Sequence, residues 1–167
     1  MKVKPLVVFL DCEFTDFIQI DLISIGLVCE DGREFYAERT DFRREDCSDF
    51  VRTAVLPLLG SDPQVRMSRE LLTTNLLAWL STLPNFMIAC DSNHDRDLFA
   101  DVLDYQPTGN LAGWINLNSL PAATGQAFQR EVARYHSQAD CPWHHALYDA
   151  RALREAWPIA GNETPKL

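Results

Sequence analysis

The sequence predicts an α/β fold: a mixed sheet that opens with antiparallel strands and is flanked by helices. Three observations carry this. PLVVFL at residues 5–10 is a run of β-branched and large apolar residues, as a strand covered on both faces requires. EDGRE at 30–34 sets an acidic-glycine turn between two apolar runs, a hairpin signal. From residue 68 onward, segments with apolar residues at helical spacing alternate with short apolar runs, an α/β order.

Taken in order, residues 5–12 form a first strand, IDLISIGLVC (20–29) a second and REFYAER (33–39) a third. RTDFRREDCSDF is a polar loop. FVRTAVLPLLG (50–60) reads as one helix stopped near Pro57 and Gly60. A helix over 68–83, a strand over 84–90 and a helix over 91–105 follow. A short strand near GWINL (113–117), a helix over 122–136 and a last helix over 145–157 complete the set. No repeat, low-complexity block or linker divides the chain, so its 167 residues form one domain. Composition alone gives residues 158–167 as a frayed tail.

Composition excludes several classes. At 47% apolar residues the chain folds. No apolar run approaches the roughly 20 residues of a membrane span. The short apolar N-terminal segment runs straight into acidic residues without a small-residue cleavage site, which is unlike a secretory signal. Five cysteines, an odd number without paired spacing, fit reduced thiols in a cytoplasmic protein. A net charge of −9 argues against a nucleic-acid partner held by diffuse positive charge. It is compatible with acidic groups that hold cations: two divalent ions would take −9 to −5.

Three acidic sites stand out. In FLDCEFTD (9–16), Asp11 and Glu13 share one face if the first strand continues that far. Carboxylates are costly to bury unless paired or bound to metal, so the pair marks either a solvated strand end or a cation site. In ACDSNHDRDLF (89–99), Ser92 is a helix N-cap with Asp95 three residues later, which is also a capping-box spacing. Asp91 and Asp97 compete for any metal role. With Leu98 and Phe99 facing the core, Asp95 lies on the buried side and Asp97 points to solvent. In HHALYDARALREAW (144–157), Ala146, Leu147, Ala150, Leu153 and Trp157 mark an apolar helix face, with Asp149 beside it. Its partner is a metal, Arg151, Arg154 or a histidine. His145 faces Asp149 on a continuous helix, whereas His144, five residues before Asp149, is at the wrong angle on one helix and would reach over the site only if it sits just before the helix. Cys141, His144 and His145 also raise a structural zinc site, but no second Cys or His pair has suitable spacing.

Together, DCEFT, the Asp95 segment and HHALYDAR resemble the DEDDh family of 3′–5′ exonucleases. DLISIGLV followed by REFYAE is most similar to the small bacterial exoribonucleases of that family. The middle motif departs from the pattern, since His94 replaces the usual apolar residue before Asp95. The resemblance implies a ribonuclease H-like mixed sheet, with strands 1–3 antiparallel and later strands parallel. It implies that Asp11, Glu13, Asp95 and Asp149 hold two Mg²⁺ or Mn²⁺ ions, about 4 Å apart in such sites. His144 would be the general base, and nucleoside 5′-monophosphates would leave from 3′ ends of single-stranded RNA. Phe14 would stack on a base and Thr15 would bond near the terminal ribose. Arg43 and Arg44, with Arg39 nearby and Arg33 and Arg52 beyond, are the basic candidates for phosphate contacts. A homodimer is compatible with the family. A DNA-directed exonuclease and a non-catalytic binding domain of the same fold are the alternatives; the presence of all five site residues counts against the second.

Overall fold

In the computed structural model, which describes residues 4–160, the first apolar run forms β1 (Leu6–Phe14). It ends two residues later than the sequence predicts, so Asp11 and Glu13 are strand residues. β2 (Leu22–Cys29) and β3 (Glu34–Arg39) continue as an antiparallel meander, with Asp11 opposite Gly26 and Glu13 opposite Ser24. At the hairpin, Gly32 takes φ 94°, which only glycine adopts freely, and Asp31 accepts the Arg33 N–H. β4 (Arg66–Met67) pairs parallel with β3 at one edge of the sheet. β5 (Phe86–Cys90) pairs parallel with β1, and β6 (Leu111–Asn116) parallel with β5, giving the order β4-β3-β2-β1-β5-β6. The sheet is therefore antiparallel through its first three strands and parallel afterwards. Two residues show no periodicity, so β4 left no mark in the sequence.

The alternation of β1 sorts the helices into two layers. Val8, Leu10 and Cys12 share a core with Leu72, Leu76 and Leu80 of α1 (Arg69–Ser81) and Leu98 and Phe99 of α2 (Asn93–Val102). Val7 and Phe9 face the other way. They pack against Phe128 and Val132 of α3 (Ala122–His136) and Ala152, Leu153, Ala156 and Trp157 of α4 (Ala146–Ala160). Each fully buried large side chain contributes about 1.5–3 kcal/mol of apolar transfer, so β1 anchors both layers. A smaller cluster of Ile23, Cys47, Val51 and Val55 closes the 40–60 segment onto β2.

Two expected elements differ. The helix over 50–60 is a π-helical turn, Val51–Val55, followed by a 3₁₀ turn, Leu56–Leu58. Pro57 has no N–H for the carbonyl four residues back and its ring crowds that turn, so a regular α ladder cannot pass it. The Leu56 N–H reaches Val51 O instead. The last helix runs through Pro158 to Ala160, where a frayed tail was expected. Burial of Trp157 and Ala160 against the sheet holds that final turn despite the proline. Positions 161–167 of the expected tail lie outside the described residues. Among the described residues no helix is long and apolar enough to cross a membrane.

Candidate active site

Because β1 side chains alternate, Asp11 and Glu13 project toward α4, on the side of Val7 and Phe9. The α4 helix approaches them closely for a simple steric reason. Gly26, the cross-strand partner of Asp11, has no side chain, and a Cβ there would lie 2.4 Å from Ala146 O. Asp149, in the first turn of α4, is thereby brought beside the pair. Asp95 arrives from the other layer. Ser92 caps α2 by accepting the His94 N–H at 3.0 Å, and Asp95 Oδ1 accepts the Cys12 N–H at 3.2 Å. That N–H lies beyond the last β1–β5 pair, Phe9–Ala89.

The result is two carboxylate triads with a common member. Oxygen atoms of Asp11, Glu13 and Asp149 lie within 4.8 Å of one another, as do those of Asp11, Asp91 and Asp95. The sequence sets Asp91 and Asp95 against each other; the structure brings both beside Asp11. Asp91 sits where β5 ends and Asp95 one turn into α2, so both reach Asp11. Asp97 is exposed and pairs with Arg96 at 3.2 Å. These two triads are the groups of metal-ligating side chains among the described residues, and Cys141, His144 and His145 do not assemble into a zinc site.

No lysine or arginine among the described residues pairs with any of the five carboxylates. Burial and mutual repulsion therefore act with no cationic side chain of Lys or Arg to oppose them. Asp11 is raised well above the usual carboxylate range, first by burial and then by Asp95, Asp149, Glu13 and Asp91. Glu13 is pushed up to about 8 by burial, Asp149 and Asp95. Burial and Asp91 push Asp95 to about 8. Asp149 rises only to about 6, because burial is offset by the His145 N–H and by His144. Clustered carboxylate oxygens with no protein counter-charge are the donor set of a hard divalent cation.

His144 lies in the turn before α4 with φ 63°, exposed on the rim of a cavity of about 260 Å³ that the five carboxylates line. Its ring meets Phe50 edge-on at 4.9 Å. His145 turns the other way: it is buried and stacked on Tyr36 at 4.8 Å. A third histidine carries no signal in the sequence. His136, at the end of α3, places Nε2 3.0 Å from Asp149 Oδ1. Its Nδ1 lies 3.1 Å from Cys141 O, a carbonyl, so Nδ1 is the donor there. Trp143 stacks on the ring at 3.9 Å. No spacing rule links positions 136 and 149; only the packing of α3 on α4 joins them.

Phe14 lines the cavity and forms an aromatic trio with Phe17 and His94, with centroids 5.3–5.5 Å apart. The trio gives His94 a reason to stand in the middle motif. Thr15 is fully buried, donating to Gln19 O at 2.6 Å and accepting the Asp21 N–H at 2.9 Å, so its hydroxyl closes the turn after β1. The arginines lie outside this cavity. Arg39 pairs with Asp21 and Asp41, Arg43 with Asp46 at 2.8 Å, and Arg33 with Asp31 at 2.7 Å. Arg44 lies over the Phe42 ring, and Arg52 donates to the carbonyls of Arg44, Glu45 and Cys47.

A mixed sheet with acids gathered at the end of its first strand defines a ribonuclease H-like nuclease. Solved structures share the fold. Schizosaccharomyces pombe Pop2p, in an Mg²⁺- and Mn²⁺-bound form, superposes with TM-score 0.67 at 14% identity, over 94% of this chain and 83% of that one. A 3′-exonuclease that recognises the histone mRNA stem-loop gives 0.61 at 12% identity, over 95% and 82%. Exonuclease I gives 0.61 at 12% identity, over 97% of this chain and 42% of that one. No family model matches the chain. Curated 3′–5′ exoribonucleases from two strains of Mycobacterium tuberculosis are 35% identical over 153 residues, covering 86% of this chain and 86% of theirs. The chain belongs to this family of 3′–5′ exonucleases, the DEDDh type that its motifs resemble.

Proposed function

We propose that the protein removes nucleoside 5′-monophosphates from the 3′ ends of single-stranded RNA, with two divalent cations and His144 as general base. The observation that carries this is the double use of Asp11, which joins two carboxylate triads under one exposed histidine. Asp11, Glu13 and Asp149 would hold one Mg²⁺ or Mn²⁺, and Asp11, Asp91 and Asp95 the other. When bound, such ions supply a lowered pKa for the attacking water and charge neutralisation at the departing 3′-oxygen.

The chain's own residues do the rest. His144 accepts the proton from the water, the general-base role for which an imidazole is the usual side chain. Phe14 presents a ring at the cavity wall for the terminal base, and Phe17, 73% exposed, extends that platform outward. Thr15 fixes the turn that carries Phe17. A cavity of about 260 Å³ suits a single splayed nucleotide, which favours an unpaired end. The mycobacterial relatives are named exoribonucleases, which supports RNA as the substrate.

Digestion of a 5′-labelled single-stranded RNA with Mg²⁺, Mn²⁺ or EDTA tests the reading. The expected result is a ladder shortening from the 3′ end only when metal is present, with a matched DNA strand cut more slowly. Metal-independent cleavage, or internal cuts, would overturn it.

A further inference from the structure

An acidic enzyme that holds a polyanion depends on the few cations its own acids leave free. Among the described residues most arginines pair with a neighbouring carboxylate, and Arg52 is held by backbone carbonyls. Arg44, Arg66 and Arg130 have no acidic partner among those residues. Arg44 and Arg66 line a small cavity of about 150 Å³ at the β3–β4 edge, two strands away from β1. Arg130 is placed differently. It is exposed on α3 and borders a groove of about 550 Å³ between that helix and the segment following β6.

This groove adjoins the carboxylate cavity. Gln129 lines both. Asn118, in the groove, donates its side-chain amide to the backbone oxygen of Asp91. The walls combine apolar surface from Leu117 and Leu120 with the amides of Gln126 and Gln129 and the guanidinium of Arg130. Neither glutamine amide has a hydrogen-bond partner among the described residues. Apolar floor, free amides and one free cation are the chemistry of an unpaired nucleotide: a base face, base and ribose edges, and a phosphate.

Building on the nuclease reading above, we propose that the α3 groove holds the nucleotides immediately 5′ of the scissile bond of a single RNA strand. Arg130 grips a backbone phosphate there. The substrate thus leaves the carboxylates toward β6 and α3, away from the Arg43–Arg44 loop.

The test compares KM and kcat of the unsubstituted protein, Arg130→Ala and Arg44→Ala on a dinucleotide and a heptanucleotide RNA. A dinucleotide has no phosphate beyond the scissile one for Arg130 to grip. The expected loss is confined to the longer strand: Arg130→Ala raises its KM about tenfold, the effect of removing one charge-assisted hydrogen bond. Its log(kcat/KM) against log[salt] should also become shallower by about 0.7, the slope that one neutralised phosphate of a single strand supplies. An unchanged KM and slope in Arg130→Ala, or the same loss carried by Arg44→Ala instead, would overturn the proposal while the nuclease reading stands. If the unsubstituted protein cleaves neither RNA, the nuclease reading falls, and the groove with it.

Discussion

Asp149 is flanked at both oxygens by its own chain, with a hydrogen bond at Oδ2 alone. The His145 N–H donates to Oδ2 at 2.9 Å, and His136 Nε2 faces Oδ1 at 3.0 Å. Because Nδ1 donates to Cys141 O, Nε2 donates to the carboxylate only when the ring is an imidazolium, and Trp143 keeps the ring plane fixed. Outer partners of metal ligands are worth about 10- to 100-fold in metal affinity. His136→Leu should therefore weaken Mn²⁺ binding by that factor in calorimetry. His136→Gln, whose amide nitrogen can reach the carboxylate, should recover part of it. Equal Mn²⁺ affinity in His136→Leu and the parent protein would reduce His136 to a packing residue. The adjacent histidines should separate cleanly. His144→Ala should lower kcat by about 10²–10⁴ while the melting temperature holds, since the side chain is exposed. His145→Ala should instead lower stability, by about 1 kcal/mol for the Tyr36 stack alone. A stable but inactive His145→Ala would reverse the choice of base.

The site depends on how near one helix comes to one strand. Gly26→Ala would put a methyl group into the Ala146 carbonyl and Leu147 Cα, both of them backbone, so α4 must move out and carry Asp149 with it. Overpacking of this kind costs about 1–3 kcal/mol, and metal affinity should fall alongside thermal stability. A variant with normal Mn²⁺ affinity would show that α4 is free to adjust. Elements whose signal is local were legible in the sequence: the β2–β3 hairpin with Gly32, the Ser92 cap, and α3 to its end residues. Elements decided by tertiary packing were not. Pro158 forecasts a helix end, but a buried Trp157 overrides it. Pro57 forecasts a stop but not the π turn that leads up to it or the 3₁₀ turn that contains it. Asp11, Glu13, Asp95 and Asp149 were legible through their strand or first-turn positions, whereas the sequence favours Asp95 over Asp91 and only the fold brings both to Asp11. Clustering in 39–44 did not reveal that Arg39 and Arg43 are bound by nearby acids, nor could spacing reveal His136.

Across the whole molecule, the acid cluster opposes folding when no cation is present. Glu13, Asp95 and Asp149 have folded pKa values of about 8, 8 and 6, all above those of unfolded carboxylates near 4. A group raised in this way contributes stability that is fully present below its unfolded pKa and is lost as pH rises through its folded value. In EDTA the melting temperature should therefore fall between about pH 5 and pH 8. Added Mn²⁺ should flatten that slope, because it binds the folded state alone. Asp11→Asn should raise the melting temperature in EDTA and abolish activity. A flat profile in EDTA would mean that the carboxylates are relieved by something other than an ion. The corner that Asp11 shares between the triads has one more consequence. Two ions held there would not fill independently, since each would alter a ligand of the other. Damage to the site is thus graded by position: Glu13→Gln spoils one triad, Asp95→Asn the other, and only a change at Asp11 removes a ligand from both at once.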